Sequence, residues 1–170
     1  MMISETERQE LSEILSDLLD SDLVQSMKRY IQHGTVSTFD HAMRVTERCY
    51  ERSRRMPAEK RRKLLRAAFL HDFYLYDWHT KDPSHKWHGF HHARRAANNA
   101  KAVFHVSEEE CRMIDRHMWP LNPERIPMTK SEWILTLADK RVSFAETWQG
   151  FFKKKSPAGK ENEKETATRS

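Results

Sequence analysis

An imidazole and a carboxylate meet at His71-Asp72, the end of the apolar run Leu64-Leu-Arg-Ala-Ala-Phe-Leu-His-Asp-Phe73. Leu64, Ala67, Ala68 and His71 fall at i, i+3, i+4 and i+7, which puts the imidazole on the core-facing stripe of a helix. Burying a carboxylate without a compensating charge costs roughly several kcal/mol, so the pair needs a partner. A metal ion satisfies both side chains at once. The same combination recurs along the chain: His41 shares a stripe with Val45 and Cys49, His92 with Ala96, Ala100 and Val103, His117 with Met113 and Ile114, and Asp139 with Leu135, Ala138 and Val142. Taken singly, an inward histidine is more often a hydrogen-bonded core residue than a ligand. Six buried polar groups on five segments would need six separate solutions, whereas one or two metal ions between helices serve them all.

The donors are imidazole and carboxylate without thiolate, a set that suits one or two divalent ions of Mn, Fe, Co, Ni or Zn. Two such ions a few Å apart can lower the pKa of a bound water toward neutrality and neutralise phosphoryl oxygens during in-line attack, so hydrolysis is the natural reaction. Arg44, Lys81 and Lys140 are the cations expected to contact phosphate, and Lys140, beside Asp139, is also a candidate for a catalytic role. His33 is a candidate substrate contact and His88 a candidate proton donor.

The elements that must position these residues are helical. Leu11, Ile14, Leu15, Leu18 and Leu19 follow a helical period, and Ser21-Asp22 restarts a second helix expected to run through Tyr30 and Ile31. Ser37-Thr-Phe-Asp40 has the spacing of a capping box and opens a helix of about 20 residues ending before Pro57. Ala58 to Phe73 carries His71-Asp72, and a loop rich in aromatics, His and Lys follows. Further helices are expected from about Phe90 to Phe104, from the capping box Ser107-Glu-Glu-Glu110 to the break at Met118-Trp-Pro, and from a Ser131 cap through Trp148. Lys153 to Ser170 has no apolar period and reads as a disordered charged tail.

A chain of 170 residues with four glycines and no alternating strand pattern predicts an all-α protein, a single-domain helical bundle with the metal site between helices. Residues 1–30 form an N-terminal helical segment packed on the domain, 31–150 the metal-binding domain, and 151–170 the tail. No apolar run approaches the roughly 18 residues of a membrane span, and the N-terminus lacks signal-peptide character, so a cytoplasmic protein without membrane association is expected. Cys49 and Cys111 are too few for a disulfide framework and read as buried free thiols. The net charge of +5 favours anionic ligands such as nucleotides. The arginines at 48, 52, 54 and 55 read as a solvated face, which disfavours nucleic acid as partner.

The ordered set His41, His71-Asp72, His92, His117 and Asp139, over roughly Ile31 to Trp148, resembles the HD-domain superfamily of metal-dependent phosphohydrolases. Leu70-His-Asp-Phe-Tyr-Leu-Tyr-Asp-Trp-His79, His88-Gly-Phe90, His117-Met-Trp-Pro-Leu121 and Ala138-Asp-Lys140 are similar to a bacterial subgroup of that superfamily. The resemblance implies that His41, His71, Asp72 and Asp139 are the core ligands. His92 and His117 would extend the site to two metals, with Asp72 bridging them. Where the subgroup reads Thr-His-Pro this chain has His91-His92-Ala93, and the apolar stripe favours His92 over His91 as the ligand. The activity implied is metal-dependent hydrolysis of a small phosphate ester, a nucleotide being the favoured substrate. The alternatives are a di-iron HD-type oxygenase and a non-catalytic nucleotide- or nucleic-acid-binding helical protein. The oligomeric state is left open.

Overall fold

The computed structural model describes residues 3–77 and 88–155, apart from the side chains of His33, His88 and residues 152–155. In chain order the described elements are α1 Glu5–Ile14, α2 Ser16–Leu19, α3 Asp22–Ser26, a 3₁₀ turn Met27–Arg29, β1 Ile31–His33, β2 Val36–Ser37, α4 Thr38–Ser53, α5 Ala58–Leu70, α6 His88–Phe104, α7 Glu108–Arg116 and α8 Lys130–Lys155. Among the described residues the fold is all-α apart from one small hairpin.

Helices α4, α5, α7 and α8 pack around a shared core, with α6 laid mainly on α7. α4 contributes Ala42, Val45 and Cys49 to that core, α5 contributes Leu64, Leu65, Ala67, Ala68 and Phe69, α7 contributes Met113 and Ile114, and α8 contributes Leu135 and Ala138. α6 buries Ala93, Ala96, Ala97 and Ala100, small residues that permit a close helix approach. Leu11, Leu15, Leu18, Val24 and Met27 from the N-terminal segment belong to the same core. Each fully buried Leu contributes about 1.5–3 kcal/mol, and that apolar burial offsets the cost of the polar cluster it surrounds.

Several boundaries differ from those expected. No helix runs from Ser21 through Ile31: α3 stops at Ser26, and after the 3₁₀ turn Tyr30 is extended. β1 and β2 then pair antiparallel, Ile31 with Ser37 and His33 with Val36. Gly34, at φ +60°, makes the reversal without the steric penalty a side chain would carry. α4 ends before Pro57 as expected but closes at Ser53, with Arg54 as its C-terminal cap, after 16 residues rather than about 20. α5 ends at Leu70 and not Phe73, so His71 is its C-terminal cap. The last helix is capped by Thr129, whose Oγ1 accepts from the amide of Glu132 at 3.2 Å while the Glu132 carboxylate accepts from the amides of Met128 and Thr129. Ser131 is not the cap. That helix continues past Trp148 to Lys155, so Lys153–Lys155 belong to α8 rather than to a tail, and 156–170 lie outside the described residues. Val103 is 37% exposed rather than inward, and Cys111 is only partly buried. No described helix is long and apolar enough to cross a membrane.

Candidate metal centre

His71 and His117 reach the core by the same local device. Each caps the C-terminus of its helix, α5 or α7, and each Nδ1 lies 2.7 Å from the carbonyl three residues earlier, Ala68 for His71 and Ile114 for His117. Donation of Nδ1–H to that carbonyl leaves Nε2 pointing inward as a donor of its lone pair. His41 enters from the first turn of α4, fixed by the Ser37 side chain accepting from the amide of Asp40 at 3.1 Å. His92 enters from α6 and Asp139 from the middle of α8, and all six residues are buried. His91, one position earlier, faces solvent.

Asp72 lies at the centre. Its Oδ2 is 3.3 Å from His71 Nε2 and 3.8 Å from His41 Nε2. Its Oδ1 is 3.3 Å from His92 Nε2 and 3.9 Å from His117 Nε2. Oδ1 of Asp139 is 3.3 Å from His41 Nε2 and 3.7 Å from His71 Nε2, and Ser143 donates to the same oxygen at 3.0 Å. Two triads, His41–His71–Asp72 and Asp72–His92–His117, each bring their donor atoms within 4.8 Å of one another. His71 Nε2 and Asp72 Oδ1 are buried and make no hydrogen bond among the described residues. Such orphaned atoms in a core call for a ligand, and nitrogen and oxygen donors at this spacing fit a divalent ion.

The electrostatics point the same way. Burial opposes a charge on His41, but the hydrogen-bonded carboxylates of Asp139 and Glu146 outweigh it and raise the group to about 9. Burial likewise opposes a charge on His71, and Asp72 and Asp139 raise it to about 10. Burial together with the neighbouring His71 pushes His117 down to about 3. Burial disfavours ionised Asp72 and Asp139, yet the histidines facing them hold both well below the usual carboxylate range. Two anionic carboxylates thus draw protons onto two imidazoles, and a cation would take the protons' place.

The HD-domain family model matches residues 38–142, well over half of the chain and the whole stretch from α4 into α8. The chain belongs to the HD domain family. Comparison with curated proteins and with solved structures returned no match. Within this HD domain Asp72, the carboxylate of the adjacent pair His71-Asp72, is the residue common to both triads.

The other expected site residues are placed differently. Lys140 sits at the edge of the HD site, with Nζ 3.5 Å from Asp139 Oδ2 and 3.2 Å from the carbonyl of His117. Arg44 donates to Glu146 Oε1 at 2.9 Å, so among the described residues it reaches the site through that carboxylate. The side chains of His33 and His88, and Lys81 altogether, lie outside what the structure describes. Among the described residues, Glu146, Gln32, Tyr74 and Ser143 take part in the centre without having been singled out by sequence reasoning. Glu146 lies 2.8 Å from His41 Nδ1; it stands seven residues after Asp139 on α8, a helical spacing that could have flagged it. Gln32 donates to Asp72 Oδ2, and the Tyr74 hydroxyl donates to Gln32; neither lies on a periodic stripe.

Proposed function

We propose that this HD domain is a metal-dependent phosphohydrolase cleaving a small phosphate ester, a nucleotide being the favoured substrate. The observation that carries the reading is the division of Asp72, one oxygen toward His41 and His71 and the other toward His92 and His117. One or two divalent ions of Mn, Fe, Co, Ni or Zn held by His41, His71, Asp72, His92, His117 and Asp139 would supply Lewis acidity and a water acidified toward neutrality.

The chain's own residues supply orientation. Carbonyl-bonded Nδ1 atoms fix His71 and His117 with Nε2 inward, and Glu146 fixes His41. Asp72, which faces both triads, is the residue best placed to hold the attacking water between them. Lys140, half-buried at the edge beside Asp139, offers an ammonium to phosphate oxygens, and the net charge of +5 favours anionic substrates.

Elemental analysis of the purified protein, combined with a panel of nucleotides and simpler phosphate esters assayed with each of the five metals, tests this. Two ions per chain and metal-dependent release of phosphate are expected. A protein that hydrolyses no member of the panel with any of the metals is not a phosphohydrolase.

A further inference from the structure

Gln32 approaches the centre from the hairpin, on β1, and its side chain is buried against Asp72. Its Nε2 lies 2.5 Å from Asp72 Oδ2. An amide oxygen at that distance from a carboxylate would be repelled, so the nitrogen must be the atom that faces Asp72. The amide oxygen faces the other way, where it accepts from the hydroxyl of Tyr74 and lies 3.4 Å from Thr38 Oγ1. Tyr74 and Thr38 are themselves 1% exposed and lie 3.3 Å apart, so the amide is gripped at both ends. Three segments, the hairpin, the start of α4 and the turn after Asp72, thereby converge on one carboxylate oxygen. The other oxygen, Oδ1, makes no hydrogen bond among the described residues and faces His92 and His117.

We infer that Gln32 is a positioning residue for Asp72: its amide, held by Tyr74 and Thr38, pins Oδ2 and so keeps Oδ1 turned toward the half of the site formed by His92 and His117. The inference rests on the two-ion reading above. The donor inventory decides which half depends on it more. With Asp72 turned away, one half still has His41, His71 and Asp139, whereas the other is left with two imidazoles, too few to hold an ion firmly. Gln32 therefore governs the second ion more than the first.

Metal-free protein titrated with Zn²⁺ or Mn²⁺ against a chromophoric chelator gives the stoichiometry and both affinities. Gln32→Met keeps the length of the side chain and removes the donor. Loss of such an outer hydrogen bond typically costs ten- to a hundredfold in affinity, so about that weakening is expected for the second ion, against less than about threefold for the first. Tyr74→Phe should weaken the second ion to a smaller degree and add nothing on the Gln32→Met background, because it acts through the same amide. Equal weakening of both ions, unchanged affinities, or full additivity in the double variant would each overturn the inference. If circular dichroism shows that Gln32→Met does not fold, Tyr74→Phe alone decides by the same selective loss. A wild type that takes up one ion or none removes the two-ion reading itself. Two ions bound equally well by wild type and Gln32→Met remove only the role of Gln32.

Discussion

Oε2 of Glu146 lies 2.8 Å from Nδ1 of His41, and the other oxygen of that carboxylate accepts from Arg44. His41 is thus oriented by a charge, whereas His71 and His117 are oriented by neutral carbonyls. A carboxylate partner makes the imidazole a better donor through its other nitrogen. Glu146→Gln retains the shape and removes the charge, so it should weaken metal binding by about ten- to a hundredfold in chelator competition. Arg44→Met should do less, since half of that side chain is exposed and only Glu146 feels its loss. Wild-type affinity in Glu146→Gln would show that the contact does not serve the metal.

Metal uptake should release protons. His41 and His71, raised to about 9 and about 10, are protonated at neutral pH when no ion is bound, and a ligand must shed that proton. Affinity should therefore rise with pH from 7 toward 9, and calorimetry in buffers of different ionisation enthalpy should count the protons released. The sign for stability without metal is opposite. Groups whose folded pKa is raised contribute stability below the unfolded value near 6.5, and this is lost as pH rises through about 9 and 10. The metal-free protein should melt lower at pH 10 than at pH 7. Uptake without proton release would contradict the charge assignment.

Asp72→Asn should be the most damaging single carboxylate change for turnover, because it alone removes charge from both triads. Phosphate-ester hydrolysis should fall by orders of magnitude, measured on protein shown by circular dichroism to be folded, since loss of a buried charge also alters stability. A folded variant hydrolysing at the wild-type rate would exclude Asp72 from the reaction.

Away from the centre, Arg66 of α5 is buried and bonds Asp17 at 2.5 Å, with Glu110 of α7 at 3.4 Å. Arg66→Ala leaves Glu110 buried beside a vacated guanidinium site and should cost about 3–5 kcal/mol in denaturant unfolding. Arg66→Met, which fills the space, should cost less, though Glu110 still loses its cationic neighbour and keeps the Ser107 capping bonds. A loss below about 1 kcal/mol in Arg66→Ala would mean that water or another cation replaces the guanidinium.

Helical periodicity was enough to put His41, His71, His92, His117 and Asp139 on inward stripes and to prefer His92 over the exposed His91, because a face repeating every 3.6 residues is a property of local sequence. Residue types were enough to specify nitrogen and oxygen donors without thiolate. The hairpin escaped because strands of three and two residues are too short to show alternation. The ends of α5 and α7, which turn His71 and His117 inward through their own carbonyls, depend on where each helix actually stops. The partners of the ligands escaped for a more general reason. Gln32 meets Asp72 across 40 residues and Glu146 meets His41 across 105. Periodicity assigns a side chain to a face of its own helix but carries no distance to another element. Only the packing of α4, α5, α7 and α8 around one core, with α6 laid against it, turned separate inward residues into a single centre with Asp72 at its middle.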